Sequence, residues 1–205
     1  MKRFYNRFSE HLVLQLERNS FIQTTDIPVV RYTLNYLYHV MVYHIILLIL
    51  GILFGQLHFT VVYILIMGLL KRFTGGAHAP SEHLCSILSY SIFLATMYLD
   101  NHLIITSETI IWVILILNTL LTLVLAPVDC RNKRFDLHQR KRLKHITTII
   151  IAVVSVILGI LLNHNEYFTV NIILTCLSIN SVNLLVGFAL NKKEIRDASE
   201  HSHLR

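Results

Sequence analysis

Six apolar runs divide this chain, and its basic residues are confined to every second gap between them. A helix that crosses a bilayer needs about 20 mostly apolar residues, within a range of roughly 17–25. Tyr36–Gly55 meets that length, with a core of Ile45–Leu53. Leu57–Leu70 is apolar but short, and Gly55-Gln56 before it reads as a tight turn. Leu84–Leu99 is interrupted by Ser86, Ser89 and Ser91. Ile104–Ala126 is long, and Ile146–Leu162 is almost wholly Ile, Val and Leu. Phe168–Leu190 carries Asn171, Asn180, Ser181 and Asn183. Composition agrees: 54% of the 205 residues are hydrophobic and 15% charged, whereas soluble domains carry about 25% charged residues. Disorder, collagen and coiled coil need polar, glycine-periodic or charge-rich chains and are excluded. The expectation is an all-α, polytopic integral membrane protein with about six transmembrane helices. The weaker second, third and sixth runs leave open four spans with two re-entrant or interfacial segments.

Charge placement bears on that count. The 18 Lys and Arg lie at 2, 3, 7, 18 and 31, at 71 and 72, within 131–144, and within 192–205. With six spans, all four clusters fall on one side. The opposite connections, near Gln56, Asp100-Asn101 and Asn163–Glu166, hold no Lys or Arg. The bias of basic residues toward the cytoplasm then places both termini and both basic loops there, in a multi-pass protein of the cell membrane.

A single membrane domain over 1–205 is expected. Within it, 1–30 form an amphipathic N-terminal segment, because Phe4, Phe8, Leu12 and Leu16 recur every four residues among charged neighbours. Such a helix can lie on the membrane surface or pack on the protein's own loops. No unbroken apolar core of signal-peptide length follows the first basic residues. Helices one to four occupy 36–126, a basic cytoplasmic loop 127–145, helices five and six 146–190, and a polar tail 191–205. The three Cys, at 85, 130 and 176, are too few and too scattered for a disulfide framework.

The segment most suggestive of chemistry is Lys71-Arg72-Phe73-Thr74-Gly75-Gly76-Ala77-His78-Ala79-Pro80-Ser81-Glu82-His83-Leu84-Cys85. Two of the seven glycines are adjacent here, which frees the backbone for positive φ and close approach. Pro80 suits the first turn of a helix, so the third helix is expected to start near Ala79, with Cys85 in its first two turns. His78 lies seven residues before Cys85, two turns if helical, and the glycines can otherwise aim it at the sulfur. A thiolate is a nucleophile, and a nearby imidazole serves as base and then as acid. Lys71 or Arg72 suits an anionic intermediate or an acidic substrate. Backbone N–H groups at Gly75-Gly76 suit an oxyanion. Glu82, four residues from His78 and three from Cys85, is a candidate orienting acid. By spacing alone the pair is a weak signal. The chain has no HExxH, Cys-x-x-Cys, P-loop or GxSxG motif. No metal, cofactor or nucleic-acid partner is expected.

Gly75-Gly76-x-His78-Ala79 followed by Cys85, after Lys71-Arg72, resembles the core of the accessory gene regulator B family. Ala126-Pro127-Val128-Asp129 resembles that family's second signature. The likeness extends to length, helix plan and amphipathic N-terminus. It implies a membrane cysteine endopeptidase of Gram-positive quorum sensing. Cys85 would attack the bond joining the signal segment to the C-terminal tail of a small propeptide, and His78 would activate it. A thioester acyl-enzyme would remain. A Cys or Ser of the propeptide would then close a thiolactone or lactone ring. Arg72 and Gly76 match positions important for activity in the family. Phe135 stands where many members have Pro, a departure within the basic loop that touches no proposed catalytic group.

The resemblance also implies a substrate with an amphipathic helix and an acidic tail. The stretch 131–144 holds seven Lys or Arg against Asp136 alone. Lys71, Arg131, Lys133, Arg134, Arg140 and Lys141 are therefore expected to draw that tail to the cytoplasmic face. The same charges also serve to fix topology and to bind anionic lipid. A homodimer is a further expectation from the family. A peptide exporter with Cys85 incidental, or a non-enzymatic membrane scaffold, is also open on sequence grounds.

Overall fold

A computed structural model describes residues 26–77, 82–128 and 135–203, with side chains at 82–83 and beyond 192 left aside. Of the expected amphipathic segment 1–30, residues 1–25 lie outside the described residues. Six helices are present: α1 (Ile27–Leu53), α2 (Leu57–Thr74), α3 (Glu82–His102), α4 (Glu108–Leu125), α5 (Leu137–Asn163) and α6 (Tyr167–His203). Among the described residues they make an all-helical protein with no strand longer than an isolated bridge. Five of the six are long and apolar enough to cross a membrane; α3 is the exception. Ser86, Ser89 and Ser91 within α3 and Asp100 near its end interrupt its apolar run.

Four of the departures from the apolar runs have a local reason. α1 begins at Ile27, with Pro28 in its first turn, where a missing N–H costs nothing. α2 continues past Leu70 to Thr74, so Lys71 and Arg72 lie in its last turn, where cations favour the carbonyl end of the helix dipole. α5 begins at Leu137 rather than Ile146, after Asp136 at the cap position. Its early Gln, Arg and Lys residues are good helix formers that hydropathy does not register. Thus Arg140 and Lys141 are helical, not part of a loop. α6 continues to His203 through the polar tail, because extending an existing helix escapes the nucleation cost.

The chain divides into two compact units, Met1–Leu50 and Gly51–Arg205. In the first, α1 is predominantly apolar and largely exposed. The second unit is organised around α6, which is more buried than the other spanning helices and packs against α2, α3, α4 and α5. Its core joins Leu70, Ile111, Leu115, Ile151, Leu158, Val170 and Leu177. A second contact, between α2 and α3, is aromatic. Phe93 lies 5.7 Å from Phe59 and 5.2 Å edge-on to Tyr63, between ring centroids.

Polar pairs set the direction of the helices. His58 Nε2 meets Thr169 Oγ1 at 3.0 Å, and Thr74 Oγ1 meets Asn180 Oδ1 at 3.0 Å, so α2 and α6 run parallel. Ile105 bonds Asn171 through both its N–H and its C=O, at 3.0 Å each, and Asn118 Nδ2 donates to Ser178 Oγ at 3.1 Å. Hence α4 is parallel to α6 as well. α2, α4 and α6 therefore deliver their C-terminal ends to the same end of the unit.

Phe93 is fully buried. Phe93→Ala is expected to destabilise the detergent-solubilised protein by about 3–5 kcal/mol, as large-to-small changes at buried aromatics do. Asn118→Ala should cost about 1 kcal/mol, in line with interhelical bonds in membranes. Reversible unfolding in mixed micelles measures both.

Candidate active site

At the shared end of α2, α4 and α6, two stretches distant in sequence lie side by side. α2 ends at Gly75, with φ of 72°, and Gly76 follows with φ of 127°. Both values are costly for a residue with a Cβ. Gly75 forms a parallel bridge with Val128, and the Val128 N–H donates to the Thr74 carbonyl at 3.0 Å. The segment Ala126-Pro127-Val128 after α4 is thereby laid along the Gly75-Gly76 turn. Ala126 and Val128 are buried with Leu184 of α6.

Space at this junction explains the glycines. A Cβ on Gly75 would sit 2.2 Å from the Val128 carbonyl oxygen. One on Gly76 would sit 2.0 Å from Asn183 Nδ2. One on Gly187 would meet Ala77 N at 2.7 Å and Gly76 C at 2.8 Å. Hydrogen bonds reinforce the contact. Thr74 Oγ1 shares its proton between the Leu70 carbonyl, at 2.8 Å, and Asn180 Oδ1. Asn183 Nδ2 donates to Gly75 O at 3.4 Å, and the Asn183 carbonyl accepts from Ala77 N at 3.3 Å. Thr147 of α5 donates to Phe73 O at 3.3 Å.

Cys85 is the fourth residue of α3 and is half-buried. Lys71, in the last turn of α2, lies within electrostatic reach of its sulfur. Arg72, next along, places its guanidinium 5.9 Å from the Phe73 ring centroid. Lys71, four residues before Gly75, is thus within electrostatic reach of Cys85. A cation within electrostatic reach of a sulfur, on the helix that ends in a turn whose geometry favours glycine, suits an anionic intermediate.

Other expected residues are placed less fully. His78 lies outside the described residues, as do Asp129, Cys130, Arg131, Lys133 and Arg134. Glu82 opens α3, but its side chain is likewise outside them. Arg140 and Lys141 are exposed in the first two turns of α5. Among the described residues, no three His, Cys, Asp or Glu side chains are grouped to hold a metal ion. Asn180, Asn183 and Gly187 had no part in the sequence-based site. Their signal was present, since amide side chains are costly in a lipid-facing helix and mark an inward face.

Gly75→Ala should lower the thermal stability of the solubilised protein, because its obstruction is a backbone carbonyl that cannot swing away. Gly159→Ala should be near neutral, since its Cβ meets only Trp112 at 3.8 Å. Thermal unfolding in detergent separates the two.

The family model for accessory gene regulator B matches residues 6–185, most of the chain and all of the site just described except Gly187. That family is associated with the processing of autoinducing peptide precursors. No curated protein and no solved structure matches the chain. With a match over that length, and with five helices able to cross a bilayer, the chain is a multi-pass membrane protein that belongs to the accessory gene regulator B family.

Proposed function

We propose that this protein is a membrane cysteine endopeptidase that removes the C-terminal tail of a small quorum-sensing propeptide and promotes closure of a thiolactone or lactone ring. The observation that supports this reading is the positive-φ Gly75-Gly76 turn at the end of the helix that carries Lys71, a cation within electrostatic reach of Cys85. Family membership supports a peptidase-like role in general terms.

In this scheme the Cys85 sulfur attacks the scissile carbonyl while His78 accepts the thiol proton. Collapse of the tetrahedral intermediate breaks the C–N bond, and His78 returns the proton to the leaving amine. The tail departs with a new N-terminus, and the signal segment stays as a thioester on Cys85. A Cys or Ser within the segment then attacks that thioester. The ring closes and the Cys85 thiol is restored, so no water enters the balance. Lys71 and the backbone N–H groups of the glycine turn steady the oxyanion. Glu82 is the candidate to orient His78. Arg72, Arg131, Lys133, Arg134, Arg140 and Lys141 draw the acidic tail to the cytoplasmic face, where basic residues concentrate. A homodimer would double these sites without altering the chemistry.

The test uses the purified protein in nanodiscs with a propeptide bearing an acidic tail. Wild type should release the tail and carry a transient acyl adduct on Cys85 by mass spectrometry. Cys85→Ala and His78→Ala should abolish release while insertion persists. Release that survives Cys85→Ala and disappears with Cys130→Ala would move the nucleophile to Cys130. Transport of a cyclic peptide that is indifferent to Cys85, without cleavage, would replace the peptidase with an exporter.

A further inference from the structure

We propose that Asn183, with Gly187 one turn beyond it on α6, is a positioning residue that fixes the backbone from which His78 departs. This rests on the reading of His78 as the base. The residue before His78 is Ala77, and its N–H donates to the Asn183 carbonyl. Two residues earlier, the Gly75 carbonyl accepts from the Asn183 side chain. One residue of α6 therefore grips the turn at both ends.

Each of the two bonds is long, at 3.3 and 3.4 Å, and neither alone would hold a glycine pair in place. The grip is also steric. Asn183 Nδ2 fills the volume that a Gly76 Cβ would need. Gly187 leaves room for Ala77 and the Gly76 carbonyl carbon to press onto the helix. Small residues permit such backbone approach in membrane bundles. On the far side the Val128 carbonyl closes against Gly75, and on the α6 side Thr74 is tied to Asn180. The turn is thus held by α6 and by the segment after α4, although glycine is the residue least able to hold a conformation unaided.

Nothing in the scheme requires Asn183 to touch the propeptide, so its loss should act on rate and not on binding. Displacing a catalytic group by about an ångström can cost as much as 100-fold in rate. Asn183→Ala removes the amide donor to Gly75 and the wall against Gly76.

The experiment measures single-turnover acylation of Cys85 by the acidic-tailed propeptide in nanodiscs, over a range of propeptide concentrations and pH. Asn183→Ala should lower the saturating rate by about tenfold or more, with the half-saturating concentration within about twofold of wild type. The pH dependence of Cys85 alkylation by iodoacetamide should shift toward that of His78→Ala. Asn183→Gln, which keeps the amide, should recover part of the rate. A wild-type rate and alkylation profile for Asn183→Ala, beside an inactive His78→Ala, would overturn the positioning role and leave the dyad standing. So would a raised half-saturating concentration at an unchanged saturating rate. An active His78→Ala would overturn the dyad and this inference with it. If Asn183→Ala fails to fold, Gly187→Ala, which presses a methyl against Ala77, carries the same expectations.

Discussion

Helices in lipid gain little by hiding apolar side chains from one another, because the surrounding chains are just as apolar. What draws this bundle together is a succession of polar groups along α6. Thr169, Asn171, Thr175, Ser178, Asn180 and Asn183 each bond a different part of the second unit. Their partners are His58, the Ile105 backbone, Asp100, Asn118, Thr74 and Gly75. Each partner left alone in a low-dielectric interior would carry its own desolvation cost. Register between the helices is therefore set by hydrogen bonds, and apolar packing fills what they leave.

That arrangement has a chemical consequence. Because α2 and α4 both run parallel to α6, the turns that follow them emerge at the same end. There the Gly75-Gly76 turn and Ala126-Pro127-Val128 are joined by the Gly75–Val128 bridge. Cys85 comes from α3, which packs on α2 through Phe93 against Phe59 and Tyr63 and has Lys71 within electrostatic reach of its sulfur. The two stretches that resemble the family's signatures are therefore one structural feature. The first supplies the turn and the second walls it in.

The number of helices and the break at Gly55-Gln56 were legible in the sequence, because run length and apolar content act locally. Gly55 indeed has φ of 67°. The starts of α1 and α5 and the end of α6 were not, because hydropathy is blind to polar residues with high helix propensity. The special status of Gly75 and Gly76 was legible from glycine's conformational freedom. Their partners were not, because Val128, Asn183 and Gly187 meet the turn only after three helices have been placed. The asparagines of α6 read at first as flaws in a span, and in the structure they are its interhelical contacts.

The claim that α6 holds the glycine turn is tested most directly by cross-linking. With Cys85, Cys130 and Cys176 replaced by Ala, Thr74→Cys and Asn180→Cys place two thiols where the native side chains touch at 3.0 Å. Mild oxidation in native membranes should yield a rapid intramolecular disulfide in nearly every copy. Free thiols after oxidation, or disulfides only between copies, would contradict the account.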